Sequence, residues 1–226
     1  MNTMHIVVVY SVQLFVCTVG IVGFLKYKQL INPLKFLEWY VICSLANDIL
    51  IDIMVYNKIR TLWVWQCFAV FELFIFIKIF NSWYSSRRYT SLIWAAYYFY
   101  LIFWIVGKFS FEPFTSSDVY SETVSQVIQI GFGSWILLSL LQDSKINWKT
   151  DPRLWVVSGI VLYAITTFFI FGMFEVLWVS SHHIVRVLWM INNVFILIQY
   201  IFFLRAFLCN PANTGITNIS QTTHKE

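Results

Sequence analysis

The chain has 226 residues, of which 59% are hydrophobic, 20% aromatic and only 12% charged, with a formal net charge of +4. Soluble domains carry roughly 25% charged residues, and a soluble chain of this size has no interior large enough to hide so much apolar surface, so its solvent is lipid. The cations are scattered among short connections and form no patch, which excludes nucleic acid as a partner.

A helix needs roughly 20 apolar residues to cross a bilayer. Seven stretches qualify, at about 5–25, 34–56, 61–80, 90–107, 121–141, 154–178 and 184–208. The pattern predicts an all-α polytopic membrane protein with seven transmembrane helices in residues 1–209, followed by a disordered cytoplasmic tail, 210–226, rich in Asn, Thr and Ser. The first Lys, Lys26, follows the first apolar run, so that run is expected to stay as a span and not to be removed as a signal peptide.

Counting Lys and Arg by side gives the orientation. Eleven fall on one side, from Lys26, Lys28 and Lys35 through Lys78, Arg87, Arg88, Lys145, Lys149 and Arg153 to Arg205 and Lys225. Four fall on the other: Lys58, Arg60, Lys108 and Arg186. Cationic loops stay in the cytoplasm, so the N-terminus is expected outside and the C-terminus inside, with the bacterial inner membrane as the location. The four prolines, Pro33, Pro113, Pro152 and Pro211, all lie in loops or at helix ends, and Pro33 and Pro152 open helices, where the missing N–H costs little. Pro33 before the second span matches Pro152 before the sixth. Leu62-Trp63 in the third likewise matches Leu188-Trp189 in the seventh. These matches suggest a 3+1+3 parallel repeat with the fourth span as linker.

The chemistry concentrates between Ser44 and Glu72. Ser44, Asp48 and Asp52 recur every fourth residue and share one helix face, with Asn47 beside them. Glu72 lies near the middle of the next, antiparallel span, and at about 1.5 Å rise per residue it differs from Asp48 in depth by about 6 Å. Asn192 and Asn193 lie at similar depth in the seventh span, and Gln199 shares the face of Asn192; Gln126 and Gln129 add polar groups to the fifth. No Lys or Arg sits at that depth: Lys78, Arg186 and Arg205 are near span ends and can snorkel outward. Ionisable groups inside a membrane are costly and usually face the bundle interior. Asp48, Asp52, Glu72, Asn47, Asn192 and Asn193 are therefore the expected ligand- or proton-binding residues. Asp48 and Glu72 are expected to share a proton as a coupled pair, or to hold a bound cation instead. The bland alternative is that these groups are hydrogen-bond partners joining the helices.

Other candidates carry less. Glu38 and Glu175 fall nearer the interfaces, and His182-His183 reads as a solvated loop pair. Cys17, Cys43, Cys67 and Cys209 lie in or at the end of apolar segments without CxxC spacing and read as reduced packing residues; no metal site and no cofactor is expected. Asn218-Ile219-Ser220 matches a glycosylation pattern but lies on the side expected to be cytoplasmic. No Lys at mid-depth in the seventh span could carry a retinal, no facing His pair could hold a haem, and no Walker motif is present.

Asn32-Pro33-Leu34-Lys35, Asp48, Glu72, Asp151-Pro152 and Leu188-Trp189 with Asn192-Asn193 together resemble a family of small, uncharacterised seven-span bacterial integral membrane proteins. The resemblance implies a fold and no activity. A fainter similarity is to the small seven-span terpene cyclases of fungal meroterpenoid pathways, which implies an intramembrane acid that protonates an epoxide or olefin, here Glu72; the seventh span has Asn192 and Asn193 where a second acid is wanted.

Three functions follow as expectations. The first is binding, transport or sensing of a proton, cation or small ligand at the acidic site. The second is a membrane-embedded enzyme using a neutral carboxylic acid as general acid on a lipid or isoprenoid. The third is a structural subunit whose acids pair with a membrane-protein partner.

Overall fold

The computed structural model describes residues 3–83, 87–116, 119–142, 149–180 and 182–209; the side chains of 3–7, 9, 173–180 and 182–186 are outside that description. The expected tail from 210 onward, the side chains of Glu175 and Arg186 and those of His182-His183 therefore lie outside the described residues. The described residues are helical, without strands: α1 (Thr3–Lys26), a short 3-10 turn (Tyr27–Gln29), α2 (Asn32–Tyr56), α3 (Leu62–Trp83), α4 (Arg87–Ser110), α5 (Val119–Gln142), α6 (Pro152–Ser180) and α7 (His182–Leu208). All seven α-helices are long and apolar enough to cross a membrane.

Each helix reaches past the apolar run that marks it in the sequence by a turn or less, because helical hydrogen bonding continues after the side chains turn polar. His182-His183 consequently opens α7, where a loop pair was expected.

The helix ends follow from specific residues. Asp151 caps α6: its carboxylate accepts the Arg153 backbone N–H at 2.9 Å and grips the Arg153 guanidinium at 2.7 Å, with Pro152 between them as the first helical residue. The end of α2 is a Schellman turn. Lys58 adopts φ 59°, its N–H donates to the Val55 carbonyl at 3.0 Å, and the Ile59 N–H donates to the Met54 carbonyl at 2.9 Å. The start of α5 is capped from a distance. Glu112, nearly fully buried, accepts the Ser121 N–H at 3.1 Å and also the Ser121 hydroxyl, satisfying donors that no helix can satisfy internally.

The helices pack roughly in chain order. α2 lies on α3, α5 on α6 and α6 on α7, and α1 closes the ring by packing on both α2 and α7. α3 touches α5 directly, and α4 sits against both. The polarity is the reverse of a soluble protein's. Leu14, Phe24, Ile49, Phe99, Ile102, Trp135 and Phe169 are exposed, while Glu38, Gln66, Glu72, Gln126, Gln129, Asn192 and Gln199 are buried. In lipid, exposed apolar side chains lose nothing, and buried polar side chains join helices to each other.

Close packing at α5–α6–α7 depends on glycine. A Cβ at Gly133 would collide with Val161 of α6, whereas a Cβ at Gly131 meets nothing within 4 Å. Gly133→Ala is therefore expected to cost about 1–3 kcal/mol through overpacking, while Gly131→Ala is expected to be neutral or to gain up to about 1 kcal/mol from helix propensity. Reversible unfolding of both variants in mixed micelles checks the contrast.

Candidate functional site

The interior polar groups converge on Glu72. On α2, Tyr40, Ser44 and Asp48 lie at i, i+4 and i+8, so one face carries a phenol, a hydroxyl and a carboxyl in succession. Tyr40 is 3% exposed, and its hydroxyl donates to Glu72 Oε2 at 3.0 Å. Its ring is held by Phe76 of α3 at 4.8 Å between centroids and by the edge of Phe203 of α7 at 6.2 Å. A phenol wedged in this way keeps its hydroxyl aimed at the carboxyl, because the ring has no free rotamer to move into.

Three further helices contribute. Gln129 of α5 lies beside Glu72 as a second neutral donor. Tyr163 of α6 lies within electrostatic reach of Glu72, Glu122 and Tyr200, and bonds Thr167 one turn on. The Thr167 hydroxyl donates in turn to Asn192 Oδ1 of α7 at 3.3 Å. Tyr200, also on α7, donates to Ser44 Oγ at 2.9 Å. Both Asp48 and Glu72 act on it electrostatically. Among the described residues no Lys or Arg makes an ion pair with Glu72.

The candidates of the sequence therefore divide. Glu72 and Asn192 are in the buried network, and Asn47 is buried on α2. Asp48 is half-buried, and the acid that acts on it is Asp52, its neighbour one turn on, while Glu72 takes Tyr40 and Gln129 as partners. Depth alone suggested an Asp48–Glu72 pair; the partners found are Asp52 for Asp48 and Tyr40 for Glu72. Asp52 is exposed and accepts from Gln13 Nε2 of α1 at 3.2 Å. Asn193 bonds back to the Trp189 carbonyl of its own helix at 2.8 Å. Lys78 lies with its ammonium over the rings of Phe74 and Trp94, at 5.5 and 5.1 Å from their centroids, where cation–π attraction holds it away from Glu72.

Four participants were missed, Thr167 among them. Tyr40 could have been found by extending the polar stripe one turn before Ser44. Tyr163 and Tyr200 gave no signal beyond aromatic content.

Glu38 is also more interior than its position near the start of α2 suggests. It is 0% exposed, and neither carboxyl oxygen has a hydrogen-bond partner among the described residues. Gly23 of α1 makes the room, since a Cβ there would strike the Glu38 carboxyl and crowd Phe207.

No known protein-family model, characterised protein or solved structure matches this chain.

Two stability measurements test the geometry. A double-mutant cycle between Tyr40→Phe and Glu72→Gln is expected to give a coupling of about 0.6–1.7 kcal/mol, the range of interhelical hydrogen bonds in membranes. A coupling near zero would mean that the contact carries no stability. Glu38→Met, which keeps the length and removes two unpartnered oxygens, is expected to stabilise the protein by about 1–3 kcal/mol. Loss of stability in the same unfolding assay would contradict that placement.

Proposed function

We propose that this is an integral membrane protein that binds a proton or a small cation at Glu72, inside its helix bundle, and uses that binding in transport or sensing. The observation that carries the reading is the enclosure of the Glu72 carboxyl by neutral donors, Tyr40 and Gln129, without a cationic partner among the described residues. Neutral donors orient a carboxylate but do not cancel its charge. In a low-dielectric interior the group is compensated by a proton or by a bound cation, and exchange between those two states is a binding event. Asp48 shares Tyr200 with Glu72 and serves as the second acid of the same site, with Asp52 at the surface end of the stripe.

The bilayer we propose is the bacterial inner membrane, with the N-terminus outside. Support comes from the basic residues at one end of the bundle: Lys26 ends α1, Lys35 opens α2, Arg87 and Arg88 open α4, Arg153 opens α6 and Arg205 ends α7. What supports a 3+1+3 arrangement is the place of α4, against both α3 and α5 while these touch each other directly.

Proteoliposomes adsorbed on a solid-supported membrane, given steps of pH or of sodium or potassium against choline, test the reading. Wild-type protein is expected to give a transient charge displacement. Glu72→Gln is expected to abolish it, and Ser82→Ala, whose hydroxyl bonds only back to the Lys78 carbonyl, to retain it. A transient of equal size in Glu72→Gln would remove Glu72 from the ion site.

A further inference from the structure

Three glutamines mark a path from the start of α5 to Glu72. Gln66, Gln126 and Gln129 are 1%, 0% and 1% exposed. In each the amide nitrogen is committed. Gln66 Nε2 donates to the Ser116 carbonyl at 2.7 Å, Gln126 Nε2 to Glu122 Oε1 at 2.5 Å and Gln129 Nε2 to Ser125 Oγ at 3.3 Å. A carbonyl and a carboxylate accept and do not donate, so turning the Gln66 or Gln126 amide over would set oxygen against oxygen. Gln129 is fixed in the same sense by the Glu72 carboxyl beside it. The three Oε1 atoms are left, and none has a hydrogen-bond partner among the described residues.

Buried acceptors without partners are rare in native proteins, and each calls for an explanation. Here they recur along one route. Gln126 and Gln129 share a face of α5, about 4.5 Å apart along the axis, and Gln66 lies about 9 Å before Glu72 along α3. The three glutamines add only oxygens to this surplus, and the Glu122 and Glu72 carboxyls stand at the two ends of the route.

We propose that the Gln126 and Gln129 amide oxygens, together with the Glu72 carboxylate, bind a monovalent metal cation, sodium or potassium, that enters along α5 from the Glu122 end past Gln66. Oxygen-only ligands of this kind suit hard cations. Among the described residues no three His, Cys, Asp or Glu side chains converge, so the softer ligand sets of transition metals are not assembled there. The charge selects the valence: one positive charge neutralises Glu72, whereas a divalent ion would leave a net charge in the hydrocarbon. Glu122, half-buried in the first turn of α5, raises the local cation concentration at the entrance, and Tyr163 lies within reach of both carboxyls. This inference rests on Glu72 as the ion-binding group and names its ion.

Equilibrium binding of radioactive sodium, and of rubidium in place of potassium, to purified full-length protein in choline chloride tests it. Wild-type protein is expected to show one saturable site for at least one of the two ions. Glu72→Gln is expected to lose it, Gln126→Leu and Gln129→Leu to weaken it by about tenfold or more, and Ser139→Ala on the same helix to leave it unchanged. Where a Leu variant does not fold, Gln126→Met and Gln129→Met keep the side-chain length without the amide. Binding that none of the glutamine variants alters overturns the oxygen path while keeping Glu72 as an ion site. Wild-type protein that binds neither ion saturably overturns the proposal without any variant, and a charge transient driven by pH steps alone would then leave Glu72 as a proton site.

Discussion

The contact between the Tyr40 hydroxyl and the Glu72 carboxyl is the constraint that the interior of this bundle is built around. A carboxyl inside hydrocarbon must be met by donors, and one donor is too few for two oxygens. Tyr40 comes from α2 and Gln129 from α5, so α3 is tied to a helix on each side of it. Tyr40 is itself held by Phe76 and Phe203, and Phe203 packs edge to face on Tyr200, whose hydroxyl returns to Ser44 on α2. The loop of contacts α3–α2–α7–α2 therefore starts from a single buried acid. On the other flank, Gly133 lets α5 approach α6 closely enough for Tyr163 to come within reach of both Glu72 and Glu122.

The seven helices were legible in the sequence because length and apolarity decide spanning, and those two properties need no knowledge of neighbours. Helix starts were legible at Pro33 and Asp151-Pro152, where cap chemistry is local. The site was legible only in part. Helices that are apolar nearly all round carry little azimuthal information, so the α2 stripe told which face was polar but not which helix it met. Asp48 and Glu72 match in depth, yet depth is one coordinate of three, and the donor that meets Glu72 is Tyr40. Glu38 illustrates the same limit from the other direction. Its place near a helix start suggested an interface, and what buries it is a missing side chain at Gly23 on another helix. Gln66, a lone amide between Trp65 and Cys67, gave no pattern at all; its role depends on the folded-back segment that brings the Ser116 carbonyl to it.

The buried acids differ in how they are satisfied, and this separates structure from function. Glu112 is surrounded by the first donors of α5 and is fully employed as a cap. Asp151 is employed in the same way at α6, with Arg153 cancelling its charge. Neither needs a ligand to explain it. Glu38 has no hydrogen-bond partner among the described residues to suggest what it would hold. Glu72 lies between these cases: it is oriented by neutral donors, uncompensated in charge and surrounded by further polar side chains. That combination is what a binding group requires, since full satisfaction leaves nothing to bind and isolation leaves nothing to bind with.

The balance of donors and acceptors also differs across the bundle, and the difference has direction. On the α6–α7 side hydroxyls carry the network: Thr167 donates to Asn192, and Tyr200 donates across to Ser44. Hydroxyls can both give and accept, and the buried amide atom left without a partner there is a donor, Gln199 Nε2. On the α3–α5 side the partners are amides and carboxyls. Each amide nitrogen is drawn to a nearby oxygen, and each such bond leaves one amide oxygen over. Adding carboxyls to such a face does not repair the excess, because they too are acceptors. A proton on Glu72 would supply one donor and leave the remaining oxygens bare, whereas a cation answers to several oxygens at once. The position of the excess, on the face that includes Glu72 and opens toward Glu122, is therefore the physical reason to look for a metal cation on this side of the bundle and not on the other.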